Sequence, residues 1–463
     1  MKSKWGMVSS MALVGSLLVS QSALATGESP VKNSGDLRMN KAEEGFSTET
    51  EPNNSFDQSN HITVDDIVSG TLVKDDRDYF TFEVDSSESV YFFGGAAAVN
   101  ETTEMDLKVE LFNEERDAVT VDEEYGEDGE LFEFGVELEP GTYYLAVSDE
   151  NNVTDEEEYL LFSSFITDEP TIDRISGSDR YETAVEIAKA GWYEGDTSEL
   201  ILATGMDFPD ALAASPLAYS YGAPILLTKK DTIPDVVKEA ISYFDPEHIT
   251  IIGGSKAVSY DVQTYLEETM EIDTDRISGE NRYETAAMIA AELPGDETAY
   301  VVNGSNYPDA LSIAPYAASM ESPILLTRAD VLPEVTESAL EGFNDSWAVG
   351  GTLAISNEVM GELPKAKRVA GKDRYATSVQ IVKQLKMDAS YVSLATGENF
   401  ADALTGSVLS AQYGEPVLLT KKNSLPASVK KLFKDRTPYY YTLYGGTLAI
   451  SKEVEEELMT INR

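Results

Sequence analysis

The block Arg174-Ile-Ser-Gly-Ser-Asp-Arg-Tyr-Glu-Thr-Ala184 occurs three times in this chain and decides its fold. It returns as Arg276-Ile-Ser-Gly-Glu-Asn-Arg-Tyr-Glu-Thr-Ala286 and as Arg368-Val-Ala-Gly-Lys-Asp-Arg-Tyr-Ala-Thr-Ser378. The copies begin 102 and then 92 residues apart. Such a regular recurrence indicates tandem repeats, and each of these is long enough to form a small domain.

Three further blocks follow in the same order inside every copy. The block Gly-x-x-(Phe/Tyr)-x-Asp-Ala-Leu ends at Leu212, Leu311 and Leu404. The block Pro-(Ile/Val)-Leu-Leu-Thr occupies residues 224–228, 323–327 and 416–420. A Gly-Gly pair then begins at Gly253, Gly350 and Gly445, and a serine follows each first glycine after six residues. Four blocks in register make chance similarity untenable.

Strand and helix signals alternate within each copy. In the first, the short apolar runs 200–203, 225–228 and 249–252 are typical of strands buried on both faces. Helices are predicted from Pro209 to Tyr221, from Pro234 to Phe244 and from Ser259 to about Met270. Ser259 is predicted to be the N-cap of the third helix, and Ser356 and Ser451 are its counterparts in the later copies. The pattern predicts α/β repeats with largely parallel sheets. We expect these repeats over residues 173–272, 275–365 and 367–463.

Several recurring residues are candidates for ligand contact. A carboxylate in the first turn of a helix either complements the helix dipole or contacts a ligand or metal, and Asp210, Asp309 and Asp402 are placed for this. The glycine pairs either form tight turns or offer backbone N–H groups to an anion: Gly253 and Gly254, Gly350 and Gly351, Gly445 and Gly446. Each arginine that precedes a tyrosine either pairs with an aspartate within or between repeats or binds the ligand: Arg180, Arg282 and Arg374.

The repeated Arg-x-x-Gly-x-(Asp/Asn)-Arg-Tyr-x-Thr, Gly-x-x-(Phe/Tyr)-x-Asp-Ala-Leu and Gly-Gly blocks resemble the type 2 cell-wall-binding repeat family of Gram-positive bacteria. The resemblance covers residues 174–463. It implies three modules packed with pseudo-threefold symmetry that hold a secreted protein noncovalently to an anionic wall polymer or peptidoglycan-associated glycopolymer. One departure is Ala401, which stands where the other copies have Pro209 and Pro308.

Residues 51–166 have a different pattern, with alternating apolar residues and turn clusters typical of an antiparallel β-sandwich. Strands are predicted over 78–84, 89–93, 107–112, 131–134 and 141–147. Glu51-Pro-Asn-Asn-Ser, Asp76-Arg-Asp-Tyr-Phe and Pro140-Gly-Thr-Tyr-Tyr-Leu resemble the bacterial pre-peptidase C-terminal domain. That resemblance implies a small β-sandwich appended to a secreted protein.

The N-terminus predicts export. Residues 1–25 have the charged start, the short apolar run and the Ala23-Leu-Ala25 ending of a secretory signal peptide. The apolar run is too short to span a bilayer as a helix. Residues 26–50 are predicted to be a linker, and we expect a secreted protein of the cell wall or extracellular surface without a membrane span.

Composition excludes several classes of function. The 463 residues include 34 Lys plus Arg against 83 Asp plus Glu, and a net charge of −49 argues against nucleic-acid binding. The absence of cysteine excludes disulfides and thiol catalysis. Only His61 and His248 are available for a zinc site or a Ser-His-Asp triad, and neither lies in a catalytic motif. The sequence therefore predicts a protein that is not an enzyme.

Charge is distributed unevenly. Residues 26–170 contain 39 acids and 7 bases, whereas residues 368–463 contain 10 acids and 13 bases. The acid-rich loop 122–128 is either a solvated face or a Ca²⁺ site. Lys421 and Lys422 lie in the basic third repeat, where we expect an anionic polymer to dock.

The main hypothesis is a non-catalytic, cell-wall-binding surface protein that displays a β-sandwich. Two alternatives stay open. One is a cell-wall hydrolase or protease accessory protein whose catalytic site has no recognisable motif. The other is the capture of a small anionic solute at the Gly-Gly turns.

Overall fold

A computed structural model describes residues 46–64, 67–96, 105–125, 131–152, 157–166, 170–195, 197–207, 210–294 and 298–461. The predicted signal peptide and most of the predicted linker lie outside these ranges. The chain divides into two compact units, Met1–Asp168 and Glu169–Arg463. Within the described ranges, no helix has the length and apolar character needed to cross a membrane.

Two sheets make up the N-terminal unit. Across the six-stranded sheet the order is Phe46–Thr48, Ile67–Leu72, Glu157–Ile166, Glu88–Ala96, Leu131–Leu138 and Asp122–Tyr125. Across the four-stranded sheet it is Asn60–His61, Asp78–Val84, Gly141–Asp149 and Leu107–Phe112. Neighbours are antiparallel, except that Phe46–Thr48 and Asn60–His61 run parallel to their partners. A 3-10 turn lies at Phe56–Gln58.

Both of these sheets contribute to one hydrophobic core. Phe80 and Phe82 enter it from the four-stranded sheet, and Val90 and Phe92 enter it from the six-stranded sheet. All four side chains are fully buried, and the rings of Phe82 and Phe92 lie 5.4 Å apart. Burying each such side chain contributes roughly 1.5–3 kcal/mol to folding.

Each repeat of the second unit contains one four-stranded sheet whose strands are all parallel. The first sheet has the order Ile225–Thr228, Glu199–Thr204, His248–Ile252 and Asp273–Ile277. The second has the order Ile324–Thr327, Thr298–Asn303, Asp345–Val349 and Lys367–Val369. The third has the order Val417–Thr420, Tyr391–Thr396, Tyr440–Tyr444 and Thr171–Ile175. Mixed α/β structure with largely parallel sheets, as predicted, is confirmed.

The outermost strand of each sheet begins the next repeat. Asp273–Ile277 starts the second repeat but completes the first sheet, and Lys367–Val369 likewise completes the second. The third sheet is completed by Thr171–Ile175, which begins the first repeat and pairs in parallel with Tyr440–Tyr444. We call Thr171–Ile175 the closing strand, since it joins the first repeat to the last.

Four helices accompany each sheet. In the first repeat they are Arg180–Lys189, Ala214–Ser220 (after a 3-10 turn at Ala211–Ala213), Asp235–Phe244 and Tyr260–Glu268. In the second they are Arg282–Glu292, Pro308–Ser319, Glu334–Leu340 and Asn357–Glu362. In the third they are Arg374–Gln384, Ala401–Gln412, Ala427–Arg436 and Lys452–Thr460. The serines predicted as N-caps occupy that position, and the Ser356 hydroxyl accepts a hydrogen bond from the Val359 N–H.

One helix from each repeat packs against the equivalent helices of the other two. These central helices are Ala214–Ser220, Pro308–Ser319 and Ala401–Gln412. They are rich in Ala and Ser, whose small side chains allow close approach, and Ser215 Oγ lies 2.7 Å from Ser407 Oγ. The helix Ala401–Gln412 is buried over almost its whole length. The repeats are therefore joined both by exchanged strands and by a common helical centre.

Candidate functional site

The arginine before each repeated tyrosine is fixed at the start of a helix. The N-caps Asp179, Asn281 and Asp373 accept hydrogen bonds from backbone N–H groups of the first turn, which sets where the helix begins. The following residue is the candidate arginine, and its guanidinium donates to a glycine carbonyl of its own repeat. The donor and acceptor pairs are Arg180 with Gly205, Arg282 with Gly304, and Arg374 with Gly397.

These arginines face the neighbouring repeat. The Arg180 guanidinium lies 5.8 Å from the ring centre of Phe400, and Arg374 lies 5.8 Å from that of Tyr307. Both rings belong to the Gly-x-x-(Phe/Tyr)-x-Asp-Ala-Leu block of the adjoining repeat, so the contacts cross the interface. Cation–π contact of this kind holds the planar guanidinium in place while part of it stays exposed.

The recurring aspartate lies beside the same arginine. Asp402 interacts electrostatically with Arg180, Asp210 with Arg282, and Asp309 with Arg374. Burial raises the pKa of Asp309 and of Asp402 to about 6, although the nearby guanidinium acts in the opposite direction. Burial also raises the pKa of Asp210, and a hydrogen bond from Thr285 opposes that effect. Each interface between repeats therefore contains a cation and a carboxyl group whose pKa is raised.

A second cation lies over each repeated tyrosine. Lys229 lies 5.8 Å from the ring centre of Tyr181, Arg328 lies 5.5 Å from that of Tyr283, and Lys421 lies 5.9 Å from that of Tyr375. Each of these cations directly follows a Pro-(Ile/Val)-Leu-Leu-Thr block. Lys421 was predicted from the sequence, whereas Lys229 and Arg328 were not, although their shared position after that block was a sufficient signal.

We define an interface site as the arginine and the aspartate that meet between two repeats, together with the tyrosine that follows the arginine and the cation over its ring, which belong to the arginine's own repeat. The structure brings Arg180, Arg282, Arg374 and Lys421 into three such sites. Lys422 lies elsewhere: its carbonyl accepts a hydrogen bond from the Ser451 N–H. A side-chain hydrogen bond with Ser451 lowers the pKa of Glu453 at the start of the last helix, and the charge of Lys422 adds to that effect.

The two glycines of each Gly-Gly pair have different surroundings. The first has a positive φ, 104° at Gly253, 120° at Gly350 and 108° at Gly445. Its N–H donates a hydrogen bond to the outermost strand of the sheet, the strand exchanged from the next repeat. A Cβ at these positions would lie 2.5–3.0 Å from the interface aspartate. The second glycines, Gly254, Gly351 and Gly446, have no atom closer than 4.0 Å to a Cβ in that place.

The first arginine of each repeat binds the same glycine turns. Arg174 donates to the carbonyl of Gly445, Arg276 to that of Gly253 and Arg368 to that of Gly350. Arg174 also pairs with Glu455 at 2.6 Å. The exchanged strands are therefore held both by backbone pairing and by their arginines.

The sequence profile of cell wall binding domain 2 (CWB2) matches residues 174–263, 276–360 and 368–455. The chain belongs to the CWB2 family. The predicted identity as a cell-wall-binding repeat protein is therefore confirmed, and the interface sites lie within the matched CWB2 repeats.

Two curated relatives from Bacillus subtilis (strain 168) are similar to this CWB2 protein. The amidase enhancer is 37% identical over 289 residues, which is 62% of this chain and 40% of the relative. The N-acetylmuramoyl-L-alanine amidase LytC is 32% identical over 301 residues, 65% of this chain and 60% of the relative. The chain thus spans 40–60% of the length of these relatives.

Two solved structures from Clostridium difficile have a similar fold. Cwp6 matches with a TM-score of 0.60 and 21% identity over 83% of this chain and 68% of Cwp6. Cwp8 matches with a TM-score of 0.59 and 27% identity over 69% of this chain and 58% of Cwp8. These likenesses support the CWB2 fold of the repeats.

The two histidines of this CWB2 protein lie in different surroundings. His61 is exposed at the end of a two-residue strand. His248 Nδ1 lies 3.0 Å from Glu199 and its Nε2 lies 3.3 Å from Asp275. Both ring nitrogens of His248 therefore face carboxylates on neighbouring strands, as expected of a residue that joins them.

Outside the CWB2 repeats, three carboxylates converge in the N-terminal unit. Glu49, Glu51 and Asp78 each offer an oxygen within 4.8 Å of the others. The hydroxyl of Tyr159 donates to Asp78 at 2.7 Å, and the Asn53 side-chain amide donates to Glu49 at 3.1 Å. Burial raises the pKa of Asp78 to about 9.

Among the described residues, two oxygens at this carboxylate cluster have no hydrogen-bond partner. Asp78 and Asn53 are completely buried, and the Oδ1 atom of each is unpaired. Oxygen ligands from carboxylates and an amide carbonyl are those that Ca²⁺ prefers, and buried unpaired oxygens are costly without a partner. These residues therefore fit a hard divalent cation. The sequence prediction instead pointed to residues 122–128, of which 122–125 form an edge strand and the rest lie outside the described residues.

Proposed function

We propose that this protein is a non-catalytic cell-wall-binding surface protein, anchored noncovalently through its three interface sites to an anionic wall polymer. The observation that carries the proposal is the threefold recurrence of an interface arginine followed by a tyrosine whose ring lies under a second cation. Arginine and lysine attract phosphate or carboxylate groups.

Local groups of cations explain how a protein with a net charge of −49 can bind an anionic polymer. An acidic protein is repelled by an anionic wall at long range, but this repulsion is screened beyond about 8 Å at physiological ionic strength. Direct contacts with the cations then dominate. Three sites on one chain also allow simultaneous contacts along one polymer, which multiplies the affinity of each.

The test is cosedimentation of the secreted chain with purified Gram-positive walls. The double variant Lys229→Gln/Lys421→Gln removes the second cation from two interface sites. The control Lys230→Gln/Lys422→Gln changes the net charge equally at the adjacent positions. We expect the first variant to lose at least about tenfold in affinity, roughly 0.7 kcal/mol per lost cation, and the control to bind like the parent. Equal losses in both variants would contradict the proposal.

A role beside a wall hydrolase is the second candidate function. It is favoured by the similarity to the amidase enhancer and to the amidase LytC. Zymography on wall substrate distinguishes catalysis from binding: a lysis band from the purified protein would overturn the non-catalytic reading. Stimulation of an added amidase, without a band of its own, would support an accessory role.

We also infer that the repeats, over 173–272, 275–365 and 367–463, are arranged about a pseudo-threefold axis. The cyclic strand exchange and the three mutually packed central helices support this arrangement. A β-sandwich for residues 51–166 is supported by the single core that the two N-terminal sheets share.

For the N-terminal unit we propose Ca²⁺ binding by Glu49, Glu51, Asn53 and Asp78. Calorimetric titration of the full chain with Ca²⁺ tests it, using Asp78→Asn as the variant and the exposed Asp85→Asn as the charge-matched control. We expect saturable binding that Asp78→Asn abolishes and Asp85→Asn retains. Absence of Ca²⁺ binding by the parent chain would refute the assignment.

A further inference from the structure

The interface aspartates are placed where they sense the charge of a ligand. Asp309 and Asp402 lie in the first turns of two central helices, under the glycine turns at Gly350 and Gly445. Asp402 is only 8% exposed. Water therefore screens these carboxylates poorly, and charges at the same interface act on them strongly.

Within the part of the chain that the structure describes, few charged groups face these carboxylates. Arg374 faces Asp309, which also accepts a hydrogen bond from the Thr377 hydroxyl, and Arg180 is the charge that acts on Asp402. At the third interface, Asp210 is faced by Arg282 and lies near Asp207. In each case the principal opposite charge is the arginine of the interface site itself.

An anion bound at that arginine changes the balance. Its negative charge offsets the guanidinium that stabilises the ionised aspartate, and it repels the aspartate directly. Both effects favour the protonated carboxyl, which is compatible with a bound phosphate or carboxylate. A neutral glycan would exert neither effect.

We propose that binding of an anionic wall polymer is coupled to proton uptake at Asp309 and Asp402, so that attachment to the wall strengthens as the pH falls. The inference rests on the proposed function and adds a regulatory property to the same sites. It also specifies the ligand as charged, because a neutral polymer would bind without taking up protons.

The pKa values of these two carboxyl groups place the effect in a pH range in which wall binding can be measured. Burial already raises the pKa of Asp309 and Asp402 to about 6 in the free protein. A bound anion raises the pKa further, so the affinity increases as the pH falls from the bound to the free value. The increase is up to about tenfold per pH unit for each proton taken up.

The experiment measures the affinity of the full chain for purified Gram-positive walls by cosedimentation between pH 5.5 and 8. The matched variant is Asp309→Asn/Asp402→Asn, which keeps the shape of both groups and mimics their protonated form. The control Asp231→Asn/Asp261→Asn removes two exposed charges. Titration of the walls themselves affects all three proteins equally and cancels in the affinity ratios.

We expect the affinity of the parent chain to rise by more than threefold per pH unit below pH 7.5, relative to the Asn variant. The Asn variant should bind at pH 8 nearly as tightly as the parent binds at pH 6, and the exposed-charge control should follow the parent. A constant ratio of parent to Asn variant at every pH would overturn the coupling but leave wall binding intact. Failure of the parent to bind at any pH would overturn the proposed function as well. Thermal unfolding of the Asn variant confirms that it is folded before its affinity is used.

Discussion

The glycine pairs offer a sharp test, because two adjacent residues of the same type have opposite surroundings. We predict that Gly350→Ala destabilises the repeat unit and that Gly351→Ala does not. Gly350 has a φ of 120°, and a Cβ there would lie 2.6 Å from Asp309 Oδ2 and 3.0 Å from Ala354 Cβ. A Cβ on Gly351 meets no atom within 4 Å.

The magnitude follows from two contributions. Placing a non-glycine residue at this φ costs about 1–3 kcal/mol. Displacing Asp309 and Ala354 to relieve the crowding adds about 1–3 kcal/mol. We therefore expect a loss of about 4 kcal/mol for Gly350→Ala, against less than about 0.5 kcal/mol for Gly351→Ala. For a unit of this size the first loss lowers Tm by about 6 °C.

Differential scanning calorimetry of the two variants and the parent measures this directly. Denaturant unfolding of each variant checks that the slope, and hence the surface exposed on unfolding, is unchanged. Equal Tm values for Gly350→Ala and Gly351→Ala would refute the reasoning. That outcome would mean that the first glycine is not required by backbone geometry, and a ligand-binding role of its N–H group would need to be reconsidered.

Three other predictions concern the closing strand, the carboxylate cluster and the interface aspartates. Arg174→Met should lower the free energy of unfolding, measured with urea, by about 2 kcal/mol, because it removes a partly buried ion pair. The control Lys238→Met breaks an exposed ion pair and should lower it by less than about 0.5 kcal/mol. Ca²⁺ at one hundred times its Kd should stabilise the N-terminal unit by about 2.7 kcal/mol in calorimetry, and EDTA or Asp78→Asn should remove the gain. The raised pKa values of Asp309 and Asp402 mean that the folded state binds their protons more tightly than the unfolded state does, so stability falls by up to about 3 kcal/mol for each group as pH rises from about 4 to about 6. The variant Asp309→Asn/Asp402→Asn should lack this fall in urea unfolding series, and a parent-like pH profile would contradict it.

The local elements of the repeats could be predicted because their signals are local. The apolar runs at 225–228 and 249–252 became the strands Ile225–Thr228 and His248–Ile252, and the helix predicted to start at Pro234 is Asp235–Phe244. In the N-terminal unit, Asp78–Val84 and Leu107–Phe112 have the predicted bounds. Periodicity and turn residues are sufficient for such elements.

Pairing across repeats could not be predicted in the same way. The residues of the closing strand have no local property that selects Tyr440–Tyr444 as their partner, since that choice depends on how all three repeats pack. The carboxylate cluster was missed for a related reason. Glu49 lies in a segment that the sequence assigns to a linker, and only the fold brings it to Asp78 and the unpredicted strand Glu157–Ile166, which carries Tyr159.

The closing strand also fixes how this architecture can evolve. In an open solenoid, duplication or loss of one repeat leaves the neighbouring interfaces intact. Here the first repeat supplies the last strand of the third, so the repeats form a closed ring. Adding or deleting one copy would change the number of repeats in that ring and so disturb every interface. Loss of the closing strand would leave Tyr440–Tyr444 as an unpaired sheet edge, open to pairing with another chain. Copy number in such proteins should therefore change by whole sets of three, whereas single repeats diverge in sequence.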